Sequence, residues 1–137
     1  MNLTKVLAIS GKPGLYNLET QTRSGFLATS LADGKRISVG IRNNVSLLSE
    51  IAIYTLEKEV PLTEVFTNMK NFEEGKEARI SPKSDGATLE EYFSQVLPNY
   101  DRDRVYASDI KKIIQWYNLL LAKGFLEEDA QEDTQKS

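Results

Sequence analysis

The hydrophobic period of this chain changes partway along, and that change constrains its fold more than any single residue does. Before residue 56, apolar and polar residues alternate in short runs punctuated by glycine. After residue 107 the apolar residues recur at spacings of three and four. Alternation is the pattern of a half-buried strand, and the longer spacing is that of an amphipathic helix. A β-rich part followed by a helical part is therefore predicted.

In the first part, GLYNLETQ sets Tyr16, Leu18 and Thr20 against Leu15, Asn17 and Glu19, and GFLATSL sets Phe26, Ala28 and Ser30 against Leu27, Thr29 and Leu31. TQTRSG, ending in Gly25, reads as the hairpin turn between them, and DGKR at 33–36 reads as a second turn that feeds RISVGI. EIAIYT at 50–55 alternates Ile51 and Ile53 with Ala52 and Tyr54, and VLAI near the start supplies a short edge. About five short strands with tight turns bury their apolar sides economically by curling, so a small N-terminal SH3-like β-barrel is expected. Val65, Phe66 and Met69 then fall at helical spacing behind Thr63, a candidate cap, and form an exit helix that closes this unit at residues 1–72.

Residues 73–87, EEGKEARISPKSDGA, carry charges, glycine and proline with little apolar period, and read as a linker. A compact helical unit at 88–126 follows. Thr88 and Glu91 have capping-box spacing before LEEYFSQVL, whose apolar side is Leu89, Tyr92, Phe93 and Val96 or Leu97, and Pro98 stops it. The strongest helix is YASDIKKIIQWYNLLLAKG: Ile110, Ile113, Ile114, Tyr117, Leu120 and Leu121 share one face, Ser108 and Asp109 suit its start, and Lys123 and Gly124 its end. Residues 127–137 are acidic, lack apolar anchors and read as a disordered tail.

The residue types that are missing limit the chemistry. Among 137 residues there is no histidine and no cysteine, so the usual zinc ligand sets and the imidazole- or thiol-based catalytic groups cannot be assembled within this chain. Asp101, Asp103 and Asp109 lack the spacing of a calcium loop and are explained by neighbouring arginines and by a helix start. GKPG at 11–14 is too short for a phosphate loop and reads as a turn. No catalytic, cofactor-binding or metal-binding residue is indicated, and a non-enzymatic role without a cofactor is expected. No apolar run approaches the roughly 18 residues of a membrane span, and the first residues lack a convincing signal peptide, so a cytoplasmic protein is expected.

Two groups of residues point toward partners. Trp116, Tyr117 and Phe125 lie on or beyond the strongest helix, where aromatic side chains either fill a core or anchor a protein interface. Arg23, Lys35, Arg36 and Arg42 lie in or beside the hairpins of a first segment whose formal charge is positive; if those ends converge, they would contact phosphates beside Tyr16 or Phe26. Ordinary surface solvation explains the same cations, and the acidic tail opposes a phosphate backbone.

SGKPGLYNL, the DGKR hairpin, NVSLLSEIAIYT with VPLTEVF, and DIKKIIQWYNLLLAKGF together resemble an uncharacterised protein family of the Bacteroidetes lineage. The resemblance covers nearly all of the chain except the acidic tail. It implies an N-terminal domain of unknown function and a second, helical one, and it supplies no catalytic residue, cofactor or partner. The expected function is therefore a non-catalytic, adaptor-like protein-interaction module that binds an unidentified protein or a second copy of itself. The alternative is an RNA- or DNA-associated protein that uses the basic hairpins.

Overall fold

The computed structural model describes residues 3–12, 14–40 and 44–127. Strands β1 (Val6–Ile9), β2 (Tyr16–Thr22), β3 (Gly25–Ser30), β4 (Arg36–Gly40) and β5 (Val45–Leu47) come first. A 3-10 turn at Leu48–Glu50 leads into β6 (Ala52–Tyr54), β7 (Glu59–Pro61) and the helices α1 (Leu62–Phe72), α2 (Gly86–Val96) and α3 (Ala107–Ala122).

The first five strands form one antiparallel sheet in the order β4-β3-β2-β1-β5. At one end of β3, Gly25 pairs with Gly40, and a Cβ on Gly25 would collide with the Val39 carbonyl oxygen. Glycine is required there by close backbone approach. A register shift between Leu18 and Thr20 in the β2–β3 ladder puts an irregularity at Glu19.

The expected SH3-like barrel does not form. The sheet is open, with β4 and β5 as its two edges, and EIAIYT does not enter it. The fifth strand is VSL, which pairs with β1 through Leu7↔Leu47, Ala8↔Ser46 and Ile9↔Val45. β6 instead makes a separate two-stranded ladder with β7, through Ala52↔Pro61, Ile53↔Val60 and Tyr54↔Glu59. Ile53 and Val60 are buried in the same cluster as the helices, so the apolar side of this hairpin is satisfied without closing a barrel.

The alternation along β1 divides the sheet's two faces between two cores. Leu7 and Ile9 join Tyr16, Ala28 and Val39 in a small cluster on one face, flanked by Leu18, Phe26, Ile37, Val45 and Leu47. Val6 faces the other way and, with Leu3, Leu15 and Leu48, enters the large core built around Phe66, Phe93, Ile114 and Tyr117. That core continues to Leu126, so residues from both ends of the described chain pack together.

The helix starts have specific caps. α2 begins two residues before Thr88: Asp85 accepts the Thr88 N–H at 2.8 Å, and this bond lowers the Asp85 pKa. At α3, the Asp109 carboxylate accepts the Tyr106 N–H at 3.0 Å, and the helix starts at Ala107. The residues between α1 and α2, read from composition as a linker, carry a set of tertiary bonds. Buried Glu73 accepts the Tyr92 hydroxyl at 2.6 Å, the Arg79 N–H at 3.0 Å and the Arg79 Nε at 3.1 Å. The Ala78 N–H reaches Asn118 Oδ1, and the Tyr117 hydroxyl donates to the Lys76 carbonyl at 2.6 Å. Among the described residues, no helix is long and apolar enough to cross a membrane.

Candidate interaction groove around Trp116

Trp116 and Tyr117 are adjacent in sequence but point about 100° apart on a helix, and the structure gives them different roles. Tyr117 is fully buried, and its hydroxyl is engaged with Lys76. Burial, followed by the nearby Glu73 carboxylate, pushes that hydroxyl up to about 12. Tyr92 is shifted in the same direction by burial and by its bond to Glu73. Trp116 is only half-buried and lies toward the β1–β5 side of the sheet. Phe125 is half-buried against the large core just beyond the end of α3.

A groove forms beside Trp116 because the sheet presents small side chains there. Ala8 and Ser46 are cross-strand partners and therefore lie on one face, opposite the side taken by Leu7 and Ile9. Neither is long enough to fill the space up to Lys112, Gln115 and Trp116 on α3. The result is a polar lobe of about 420 Å³ whose lining includes Gly11, Lys12 and Gly14. Gly11 and Gly14 adopt φ values of 83° and 78° there, and the Lys12 N–H closes the turn on the Ile9 carbonyl at 3.1 Å. The sequence reading of this segment as a turn agrees with that geometry; Pro13 lies outside the described residues.

A second, more apolar lobe of about 250 Å³ adjoins the first; Ile51, Ile53, Leu62, Val105, Ile113 and Trp116 give its apolar wall, and Asp109 and Lys112 also line it. Ile51, Lys112 and Trp116 border both lobes. Arg104 stands at the mouth of the apolar lobe, but its charge is engaged: Nε lies 3.1 Å from Asp101 Oδ2, and the guanidinium sits 4.7 Å from the Tyr54 ring centroid. Lys12 and Lys112 are exposed and, among the described residues, have no ion-pair partner. No carboxylate lines the polar lobe among those residues.

The basic residues of the hairpins are not brought together. Arg23 follows Thr22, at the end of the sheet where Gly25 pairs with Gly40, whereas Arg36 pairs with Thr29 and Lys35 meets Ser30 at the other end. The length of β3 separates these ends by about 17 Å at the rise of an antiparallel strand. Acids also accompany the second group. Asp33 accepts the Lys35 N–H at 2.9 Å, which lowers its pKa; Glu19 is lowered by its Asn17 and Thr29 bonds and also by Arg36. Arg42 lies outside the described residues. The aspartates singled out in the sequence are structural. Buried Asp101 accepts the Asp103 N–H and pairs with Arg104, and Asp109 closes the α3 start. Among the described residues, no three metal-ligating side chains gather.

Sequence reasoning singled out Trp116 together with Tyr117 and Phe125, as aromatics on or just beyond the strongest helix. It missed Lys12, Lys112 and the Ala8–Ser46 pair, because their meeting depends on long-range packing. The only available signal was that Lys112 and Gln115 lie on the same helix as Trp116, Gln115 next to it and Lys112 about one turn before it.

An open antiparallel sheet with a helical layer packed beside its β1–β5 edge, and a groove where the two meet, defines a small mixed α and β protein. The chain belongs to the family described as a domain of unknown function, DUF6852, whose model matches residues 51–120. A second model, DUF5606, also a domain of unknown function, matches residues 3–48. The chain is also similar to a protein of Bacteroides vulgatus whose solution NMR structure was determined in a structural-genomics programme. Identity is 44%, the match covers 92% of this chain and 90% of that one, and the TM-score is 0.77. No curated protein matches the chain. The resemblance drawn from the sequence motifs, to a two-part family of the Bacteroidetes lineage, is thus borne out.

Proposed function

We propose that this protein is a non-catalytic, adaptor-like interaction module of the cytoplasm that holds a segment of a partner protein in the groove around Trp116. One observation carries this reading: the only tryptophan of the chain is left half-exposed as the common wall of two adjoining lobes, while its neighbour Tyr117 is fully buried. A rigid aromatic side chain bordered by apolar surface gives large contact area at small entropic cost, which is the character of an interface anchor. The groove also joins the two matched regions, because Ala8 and Ser46 belong to one and Trp116 to the other.

Two variants test the reading by opposite means. Trp116→Ala removes the anchor, whereas Ser46→Leu leaves it in place and fills the polar lobe from the sheet side. Partner recovery from native lysate should fall with both while thermal unfolding of Ser46→Leu stays close to that of the parent protein. Undiminished recovery by both variants defeats the proposal. Recovery that disappears on nuclease treatment favours a nucleic-acid partner instead, and size-exclusion chromatography of the pure protein at several concentrations identifies a second copy as the partner.

A further inference from the structure

We infer that the segment held in this groove is acidic, with a large apolar residue beside its carboxylates: the apolar side chain enters the lobe between Ile53 and Trp116, and the carboxylates meet Lys12 and Lys112. This inference rests on the reading of the groove as a protein-binding site and assigns the chemistry of its occupant. The two lobes share Trp116 and Lys112, so one short extended segment reaches both. Ile51, Ile53, Leu62, Val105 and Ile113 give the first lobe a wall that selects an apolar side chain.

Charge distinguishes the second lobe. The whole chain carries a formal −3, yet the polar lobe has two exposed lysines and, among the described residues, no lining carboxylate. The lysines come from opposite sides, Lys12 from the turn after β1 and Lys112 from α3. The other cation nearby, Arg104, already has Asp101 and is not available in the same way. Two lysines that line one space and have no ion-pair partner among the described residues attract anionic groups and repel a basic segment, and Asp109 lines only the adjoining apolar lobe, so the polar lobe has a sign preference as well as the groove's apolar one. Ser10, Asn44, Ser46 and Gln115 line the same lobe and supply neutral hydrogen-bonding groups for the segment's backbone.

The probe is a display library of random twelve-residue peptides, panned against the full-length protein and against Lys12→Glu/Lys112→Glu. Both positions are exposed, and a thermal melt checks that the double variant folds. Peptides enriched on the parent protein should place a large apolar residue next to two or more acids and should lose binding to Trp116→Ala. Replacing their Asp and Glu by Asn and Gln should weaken binding about fivefold to tenfold, the scale of two exposed ion pairs. The same loss should appear with the double variant, whose own selection should turn toward basic peptides. Trp116-dependent peptides that are neutral or basic overturn the inference and leave the protein-binding reading standing. Acidic peptides indifferent to both lysines also overturn it. Enrichment of no Trp116-dependent peptide at all defeats the protein-binding reading, and the inference with it.

Discussion

The sheet of residues 6–47 and the part that runs from β6 to Leu126 use apolar side chains differently. The helical part turns Phe66, Met69, Phe93, Ile110, Ile114 and Tyr117 into one continuous interior. The sheet divides its apolar residues: Leu7, Ile9, Tyr16, Ala28 and Val39 form a small cluster of their own, and Leu3, Val6 and Leu15 from around β1 are contributed to the large one. The match to two family models with a boundary between residues 48 and 51 is therefore a division of sequence more than of packing. Leu48, at that boundary, has no exposed surface and lies in the large core. The groove around Trp116 exists because the two regions meet over small residues on the sheet side.

The largest effect should come from cutting the chain at this boundary. Residues 51–127 produced alone would expose the places now filled by Leu3, Val6, Leu15 and Leu48, and residues 1–48 alone would retain only the small cluster. Chains of that second size rarely bury enough surface to be stable unaided. Neither fragment should show a cooperative denaturant transition, and mixing them should restore near-ultraviolet circular dichroism. Cooperative unfolding of either fragment by itself would show that its core is independent.

Two point substitutions compare the regions from inside. Phe93 is fully buried, with its ring centroid 4.9 Å from that of Tyr100 in an edge-on contact. Phe93→Ala should cost about 3–5 kcal/mol in denaturant unfolding through lost transfer and a cavity. Gly25→Ala instead adds one atom to the sheet, against the Val39 carbonyl oxygen, and should cost about 1–3 kcal/mol as β3 and β4 shift apart. A loss from Gly25→Ala as large as that from Phe93→Ala would mean that β3 and β4 cannot shift apart to admit the methyl group.

The same contrast accounts for what was legible in the sequence. α3 was legible because Ile110, Ile113, Ile114, Tyr117 and Leu120 repeat locally, and a helical period is a property of neighbouring residues. The sheet's closure was not legible. Whether Ile51 and Ile53 complete a barrel or face the helices depends on partners far along the chain, and the true fifth strand, VSL, is too short to declare a period. The α2 start was misplaced at Thr88, because Asp85 three residues earlier has the same capping chemistry and only the hydrogen bond it accepts from the Thr88 N–H identifies it as the cap. In the groove, Trp116 stood out by rarity. Lys12 and Lys112 did not, since an isolated lysine reads as solvation until folding places another across from it.

A finer comparison lies between two tyrosines that serve the helical core and the surface they would lose if ionised. Tyr117→Phe removes one hydrogen bond, to Lys76, and should cost about 1 kcal/mol near neutral pH. Its pH dependence is more specific. The folded-state pKa of Tyr117 is raised to about 12, and that of Tyr92 is raised as well, so both favour the fold while protonated. Their contribution is complete below the unfolded tyrosine value of about 10 and is lost as pH rises from there toward the folded values. Stability measured between pH 9 and 12, roughly the range these values define, should fall less steeply in Tyr117→Phe than in the parent protein. Parallel slopes would mean that Tyr117 titrates normally and is not held as the structure shows.

The smallest effect on folding should come from truncation after Glu127. The deletion removes residues 128–137, which carry four acids and one lysine and no large apolar side chain, and brings the formal net charge from −3 to neutrality. Nothing in that composition would fill a core, so the thermal midpoint should stay within about 1 °C, less than the shift that even a 1 kcal/mol change gives in a domain of this size. Binding of an acidic peptide to the groove should change more than folding does. Removing negative charge tethered to the same molecule should strengthen it about twofold at low ionic strength, with the gain shrinking as salt screens the lysines. A neutral peptide with the same apolar residue should bind equally to both forms. A gain that is independent of salt would assign the tail a contact other than charge, and a thermal shift of several degrees would make it part of the folded structure.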